Sequence, residues 1–459
     1  MPGGSTGSYF TAAKLKTAIA NGSIQVARVD QAVGRILYEM DRFGLLSGKS
    51  KHTITAENTT ADEGIVLRTA LDSATLLKNT GNALPLSKNS LSSLAVIGPG
   101  AGQALATNSG GEAAGGLISQ QTSALTMLRK ETKGTGLTYA VADDLTGVPV
   151  PASALSHSGD AGLVRTTTGT TTTQVDPELN FTSSNGAALP AGGTYTWTGT
   201  LTVPTAGSYW LNTQSLGAVT SLSIDGTVRS STRARYGILH STDGNAPTAT
   251  TDGIANNRVK VTLSAGQHAL ALVATADASG RPVQVRLNWV TPEQQTANHD
   301  AAVAAAKKAA TAVVFARNTG SGDLATPLPD DQDQLISDIA AVNRNIVVVL
   351  QSGQPISMPW LPKVNAVLEA WYGGDQAGVA QAELLLGNAN PSGRLPFTWP
   401  ASLDQEVAHS ASHPERSSAG VDSKTTYSEG LNIGYRYFDA TNETPLYPFG
   451  YGLSYTSFG

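Results

Sequence analysis

The fold of this chain is decided by residues 346–400, which read IVVVLQSGQPISMPWLPKVNAVLEAWYGGDQAGVAQAELLLGNANPSGRLPFTWP. The stretch begins with an unbroken apolar run, Ile346 to Leu350, most of it β-branched. Such a run is typical of a strand that is covered on both faces, as in a parallel sheet. A loop, a second apolar strand from Val364 to Ala370 and a helix over about Gln376 to Leu386 follow. This order of strand, loop, strand and helix predicts an α/β fold.

The same pattern occurs in two separated parts of the chain, residues 55–145 and 293–400. In the first part, a helix over about Thr60 to Leu71 precedes a buried strand at Leu94 to Ile97. In the second part, an Ala-rich helix precedes the apolar strand Ala312 to Ala316. Because alternating helices and buried strands build α/β sheets, we expect both parts to form one discontinuous α/β sandwich domain.

Between these parts, residues 147–292 have a different composition, in which Thr, Ser and Gly dominate and helical periodicity disappears. Thr194 to Val203 alternates polar and apolar side chains, as a half-buried strand does. Similar short stretches follow, separated by turn residues, as at Ser221 to Ile224 and Val283 to Trp289. Short strands with regular turns predict an all-β insertion, a β-sandwich that interrupts the α/β domain.

Four segments carry a family resemblance: VVVLQSGQPISMPWL, AVLEAWYGGDQAG, LLLGNANPSGRLPFTWP and, at residues 445–458, PLYPFGYGLSYTSF. In this order and spacing they resemble the second domain of glycoside hydrolase family 3, the β-glucosidase-like enzymes. Residues 147–292 resemble the protective-antigen-type sandwich that some members carry inside that domain. The resemblance implies hydrolysis of terminal β-linked sugars, with a carbohydrate as the binding partner.

Residues 1–50 contain two helical segments, and the second has an apolar stripe that includes Val33, Ile36 and Leu37. In the family, such a passage is the last helix of a catalytic (β/α)8 barrel, so we expect a helical remnant of that barrel. From the residues alone, an amphipathic hairpin packed on a neighbour is an equal alternative. A barrel takes about 250 residues, so we expect most of it to be absent. Residues 401–459 are expected to be a tail leading towards a fibronectin-like domain that is also absent.

The expected chemistry depends on carboxyl groups, because retaining glycosidases use two of them about 5–5.5 Å apart. The resemblance implies a nucleophilic Asp on a barrel strand, which this chain is expected to lack. It also implies an acid/base Glu in the loop after the strand Ala312 to Ala316, but that loop contains no Glu and has Asp323 as its one carboxylate. Asp323 is therefore the candidate acid/base, with contact to sugar hydroxyls or backbone as the alternative. We expect the chain alone to be inactive towards glycosides.

Other polar residues have weaker signals. Arg235 and Tyr236, in the predicted insertion, are candidate substrate-binding residues because an aromatic ring there could cover a sugar, and a solvated loop is the alternative. Glu369 lies within an apolar strand and is expected to make a satisfied buried hydrogen bond. Glu429, in the segment YSEG, is expected to be structural.

Composition excludes several classes of protein. The net charge is −5, only 14% of the residues are charged and the basic residues are scattered, which excludes a nucleic-acid partner. The chain has no cysteine, and its 7 histidines show no ligand spacing, so neither a metal nor a cofactor is expected. No apolar run reaches the roughly 18 residues of a membrane helix, and the first residues do not resemble a signal peptide. The compartment stays open.

Two other hypotheses remain beside the family interpretation. The chain is one subunit of a two-chain glycosidase whose barrel lies on a separate polypeptide, or it is a non-catalytic carbohydrate-binding protein. A homo-oligomer is compatible with each of them.

Overall fold

The computed structural model describes residues 11–47, 59–102, 122–235, 238–241, 248–250, 252–318 and 327–456. The chain divides into two compact units, Met1–Thr59 and Thr60–Gly459. Within the described residues, no helix is long and apolar enough to cross a bilayer.

The described residues form α-helices and β-strands whose bounds are as follows. The helices are α1 (Ala12–Ala20), α2 (Val26–Arg42), α3 (Thr59–Ser73), α4 (Lys88–Ser92), α5 (Ala124–Glu131), α6 (Pro292–Lys308), α7 (Gln332–Val342), α8 (Ala377–Leu386) and α9 (Tyr435–Thr441). The strands are β1 (Thr75–Asn79), β2 (Leu94–Ile97), β3 (Leu137–Ala140), β4 (Val148–Pro149), β5 (Leu155–His157), β6 (Asp160–Ala161), β7 (Leu163–Thr167), β8 (Gln174–Asp176), β9 (Asn180–Phe181), β10 (Thr194–Val203), β11 (Gly207–Leu216), β12 (Ala218–Ile224), β13 (Thr227–Arg235), β14 (Ile238–Ser241), β15 (Thr248–Ala249), β16 (Ala255–Leu263), β17 (Gly266–Ala276), β18 (Gln284–Val290), β19 (Thr311–Arg317), β20 (Ile346–Gln351) and β21 (Ala366–Glu369).

The first unit consists of the helices α1 and α2. The Thr11 side chain accepts a hydrogen bond from the Lys14 N–H, which satisfies a free donor at the start of α1. Helix α2 has the predicted apolar stripe, and the side chains of Val33, Ile36 and Leu37 are exposed.

The second unit is organised around a mixed six-stranded sheet in the order β1-β21-β20-β19-β2-β3. Strand β1 is antiparallel to β21, and the other neighbouring pairs are parallel. Every residue of β2, β19, β20 and β21 is buried. The unbroken apolar runs of the sequence therefore form strands covered on both faces, as predicted.

Helices cover both faces of this sheet. Alternate strand residues such as Val314 and Val348 share one apolar cluster with buried residues of α6 and α7. The intervening residues, such as Val313 and Val349, share a second cluster with α5 and α8. The alternation of side chains along each strand thus divides the core into two layers. Tyr447, late in the chain, belongs to the layer that contains α6 and α7.

Strands β4 to β18 lie between β3 and α6 in the chain and form two antiparallel sheets. One has the order β14-β13-β12-β17-β10-β5-β6, with β7 pairing β10 and β8. The other has the order β15-β16-β11-β18-β4, with β9 pairing β18. Buried side chains of both sheets, among them Trp197, Leu272, Tyr209 and Leu287, form one apolar cluster.

Candidate functional site at the carboxyl edge of the mixed sheet

The topology of the mixed sheet marks one edge as a candidate binding site. Strands β2 and β19 are neighbours, but the chain continues from β2 to β3 on one side and from β19 to β20 on the other. In open α/β sheets, ligands bind outside the carboxyl ends of the strands at such a switch point. We call this edge, formed by the residues that end or follow β2, β19, β20 and β21, the carboxyl edge.

Two glycines bring the segment after β2 close to its neighbours at this edge. Gly98 has a φ of 103°, and a Cβ there would lie 2.4 Å from the Phe315 carbonyl oxygen of β19. A Cβ on Gly100 would overlap the side chain of Gln351, whose Nε2 donates to the Gly100 carbonyl at 3.2 Å. The segment GPG, which the sequence shows as a glycine-rich loop, therefore packs directly on the ends of β19 and β20.

Three charged side chains from distant parts of the chain meet beside this edge. Arg258 of β16 contacts Asp143 at 2.5 Å and Asp330 at 3.0 Å, and its guanidinium lies 3.6 Å from the ring centroid of Trp210. Burial raises the pKa of Asp143, and the nearby Arg258 charge partly opposes that rise. Because Asp143 and Asp330 belong to the part of the chain that forms the mixed sheet, Arg258 ties an antiparallel sheet to the carboxyl edge.

Arg317, the last residue of β19, is a buried cation at the switch point. Its main chain is held by Gln332, which accepts from the Arg317 N–H at 2.9 Å and donates to the Arg317 carbonyl at 2.8 Å. Burial lowers the pKa of Arg317 to about 10, although the Asp143 charge favours the guanidinium. Among the described residues, its Nη1 has no hydrogen-bond partner. The Arg317 guanidinium thus keeps one buried N–H group whose bonding capacity is unused among the described residues.

Glu369, the last residue of β21, is the second buried ionisable group at the edge. Its Oε2 is hydrogen-bonded to the Ser352 hydroxyl at 2.8 Å, and its Oε1 accepts from the Trp371 N–H at 2.8 Å. The expectation of a satisfied, buried hydrogen bond is confirmed. Burial raises the pKa of Glu369 to about 8, against the effect of these donors.

Trp371 and Tyr372 connect the ends of three neighbouring strands. Trp371 has a φ of 52°, an unusual conformation for a bulky residue, and its indole N–H donates to the Ser73 carbonyl at 2.9 Å. The Tyr372 hydroxyl donates to the Asn318 carbonyl after β19 and accepts from the Gly353 N–H after β20. Tyr372 therefore fixes the point at which the chain leaves β19.

The structure describes only some of the residues named from the sequence. Asp323 and Tyr236 lie outside the described residues, and so does the side chain of Arg235, which ends β13. Glu429 lies 3.6 Å from Arg416, and both side chains are less than a tenth exposed. Among the described residues, no three His, Cys, Asp or Glu side chains are grouped so as to hold a metal ion.

Sequence reasoning missed the polar residues that do meet at the edge. Asp143, Arg258 and Arg317 lie far apart in the chain and belong to no motif. One signal was available for Arg317, since a charged residue directly after an apolar parallel strand lies at the carboxyl end of that strand.

A mixed α/β sheet with an all-β region inside the same unit is the class of fold that this chain shows, and comparison with known proteins identifies its family. Residues 74–455 match the family model of the glycosyl hydrolase family 3 C-terminal domain. The chain belongs to this family.

Several known proteins are similar to the chain. A β-glucosidase of Rhizobium radiobacter is 30% identical over 461 residues, which cover 97% of this chain and 54% of that protein. A probable β-glucosidase I of Emericella nidulans is 42% identical over 163 residues, 34% of this chain and 19% of that protein. The crystal structure of DesR, a β-glucosidase from Streptomyces venezuelae in complex with D-glucose, matches with a TM-score of 0.69 and 32% identity, covering 96% of this chain and 51% of that one. The chain thus spans about half the length, or less, of these relatives.

Proposed function

We propose that this chain takes part in the hydrolysis of terminal β-linked sugars and that its carboxyl edge lines the sugar-binding cleft. One observation carries the proposal: buried polar groups of β19, β20 and β21 converge at the switch point of the sheet, where α/β folds bind ligands. Family membership and the similarity to β-glucosidases support the substrate class.

The domain organisation forms part of the proposal. Residues 55–145 and 293–400 form the α/β domain, residues 147–292 form an inserted β-sandwich, and residues 1–50 correspond to the end of a barrel domain. Residues 401–459 are the C-terminal segment, and Tyr447 within it packs in a core cluster of the mixed sheet. The two antiparallel sheets with a common core between β3 and α6 support the insertion.

Asp323 is the proposed acid/base of the reaction, and the nucleophile comes from a barrel domain outside these residues. Asp143 and Asp330 cannot serve as the required pair, because both are engaged by Arg258. The chain alone therefore does not hydrolyse glycosides. It acts with a barrel domain, whether on the same polypeptide or on a second one.

A chromogenic β-glucoside assay with the purified chain tests this assignment. We expect no release above the buffer rate. Turnover by the unmodified chain would contradict its inactivity, and turnover kept in both Asp323→Asn and Asp300→Asn, an exposed control on α6, would also contradict the role of Asp323.

Arg235 and Tyr236 are proposed to contact the bound sugar from the insertion. Calorimetry with D-glucose at millimolar concentration tests this, with Tyr236→Ala expected to weaken the heat of binding relative to the unmodified chain. An unchanged isotherm in Tyr236→Ala would show that this segment does not reach the sugar.

A further inference from the structure

The two carboxyl oxygens of Glu369 have different surroundings. Oε1 accepts from two main-chain donors, the Trp371 N–H at 2.8 Å and the Ser352 N–H at 3.4 Å. Oε2 is 2.8 Å from the Ser352 hydroxyl. The residue is fully buried, and among the described residues no Lys, Arg or His side chain forms an ion pair with it.

The Ser352 hydroxyl cannot satisfy all of its neighbours if Glu369 is ionised. Its oxygen lies 2.8 Å from Glu369 Oε2 and 2.9 Å from the Gln354 carbonyl oxygen. A hydroxyl has one proton, and both of these neighbours are acceptors when the carboxyl group is ionised. If Oε2 carries a proton, it donates to the Ser352 oxygen, and the Ser352 proton is free for the Gln354 carbonyl. Each of these bonds then has one donor and one acceptor.

The groups around Glu369 do not compensate a negative charge. The uncharged Ser352 directly follows β20, and β1 places the uncharged Thr75 opposite Glu369 in the sheet. Among the described residues, the titratable neighbour is Tyr372, whose pKa is raised to about 12, mainly by burial. Arg317 faces Tyr372 from the end of β19 and lowers the pKa of Tyr372. A buried, unpaired carboxylate is costly, which favours the neutral acid.

We propose that Glu369 is held as a neutral carboxylic acid and acts as the positioning residue of the carboxyl edge. Its proton orders the Ser352 hydroxyl, and its Oε1 fixes the Trp371 N–H in the left-handed turn. That turn places Tyr372, which holds Asn318 and Gly353. The protonated side chain of Glu369, at the end of β21, thus fixes the positions of the residues that follow β20 and β19.

The pH dependence of stability follows in sign from this state. A pKa that is raised from 4.5 to about 8 on folding means that the folded chain binds this proton more tightly than the unfolded chain. The contribution of Glu369 to stability is therefore complete below the unfolded pKa, and it is lost as the pH rises through the folded one.

Glu369→Gln imitates the neutral acid at every pH. Its amide nitrogen can donate to Ser352 from the position of Oε2, and its amide oxygen can accept from the position of Oε1. We expect the melting temperature of Glu369→Gln, minus that of the unmodified chain, to be near zero at about pH 5 and to become increasingly positive up to about pH 8. Glu383→Gln, on α8, is the control and should show no such trend. A flat difference, or a Gln variant that is less stable at every pH, would overturn the proposal.

Infrared spectroscopy keeps the proposal testable if the variant does not fold. At neutral pH the unmodified chain should show a protonated carboxylic acid band that is lost on titration above the folded pKa. In the difference spectrum against a folded Glu369→Gln, the same band should appear. An ionised carboxylate band in its place at neutral pH would contradict the assignment.

Discussion

The mixed sheet and the antiparallel sheets place their buried polar groups differently. In the mixed sheet, the strand interiors are apolar and the buried polar groups gather at the carboxyl edge, as Arg317 and Glu369 do. In the antiparallel sheet of β11, β16 and β18, buried amides stand within the strands. Asn256 donates to the Leu145 carbonyl at 2.8 Å and Asn288 donates to the Thr146 carbonyl at 2.9 Å.

This difference separates two roles. The amides satisfy the carbonyls of the segment that connects β3 to β4, so they fix the antiparallel region on its connector. The polar groups at the carboxyl edge include a donor without a partner among the described residues, Arg317 Nη1. Within the described part of the chain, unbonded polar atoms also occur in the antiparallel region, at Asn212 and at Asn288 Oδ1. The two roles therefore rest on position, because the amides bond the connector from within the strands and Arg317 lies at the switch point of the mixed sheet.

The largest expected effect comes from breaking the link between the two regions. Arg258→Met leaves Asp143 buried without its cation, and removal of one partner of a buried ion pair costs about 3–5 kcal/mol. We expect a loss of this size in the free energy of unfolding measured with urea. Arg68→Met, an exposed control on α3, should change it by less than about 1 kcal/mol.

A second variant sharpens the interpretation of that loss. Arg258→Met combined with Asp143→Asn removes the uncompensated charge and should recover part of the stability. No recovery in the double variant would show that Arg258 acts through its packing on Trp210 and not through its charge.

The next effect concerns the close approach of the segment after β2 to β19. Gly98→Ala introduces both a strained φ and a Cβ only 2.4 Å from a carbonyl oxygen. Backbone strain alone costs about 1–3 kcal/mol, and the overlap adds to it. Gly159→Ala, at a φ of 91° with nothing within 4 Å, is the matched control for strain. Equal losses in the two variants, measured by chemical denaturation, would mean that the contact with β19 is not tight.

A smaller loss is expected for an amide of the antiparallel region. Asn256→Ala removes the hydrogen bonds of Asn256 to the Leu145 carbonyl and to Gln214 Nε2, which costs about 1–3 kcal/mol. Thermal unfolding against Asn432→Ala, at an exposed position, measures this loss. A change within the error of the control would contradict the role of the amides as an anchor.

The smallest effect is a pH-dependent one at the rim of the antiparallel sheets. His268 and Asp225 lie 2.7 Å apart, and the hydrogen bond to Asp225 raises the pKa of His268. The contribution of protonated His268 to folding stability is therefore complete below its unfolded pKa of about 6.5, and it is lost as the pH rises through the higher pKa of His268 in the folded chain. Because Asp225 is about half exposed, Asp225→Asn should cost less than about 1 kcal/mol.

The measurement is the melting temperature of Asp225→Asn at about pH 6 and pH 9, with Asp160→Asn as the exposed control. The cost should be larger at the lower pH. An equal cost at both values would show that the histidine charge does not contribute.

The sequence predicted the elements of the mixed sheet because its strands are apolar throughout and its helices have clear ends. The strand over Ile346 to Leu350 and the helix expected over Gln376 to Leu386 are confirmed as β20 and α8. The order of the strands could not be predicted, because long-range pairing leaves no local signal. The contact of Arg258 with Asp143 could not be predicted for the same reason, because it joins residues that lie far apart in the chain. Glu369 was predicted to be buried and hydrogen-bonded, because an acid within an apolar strand is buried with it and a buried polar group needs a hydrogen-bond partner.

Hydrogen exchange with and without D-glucose tests most directly that the carboxyl edge is the functional face. Exchange is compared at millimolar glucose and at the same concentration of sorbitol. We predict slower exchange of the amides of Gly98, Gly100 and Ala101, of Arg317 and Asn318, and of Gln351 to Gly353, with no change in strands β10, β11 and β12. Slowing confined to the antiparallel strands, or no slowing at the carboxyl edge, would contradict the account.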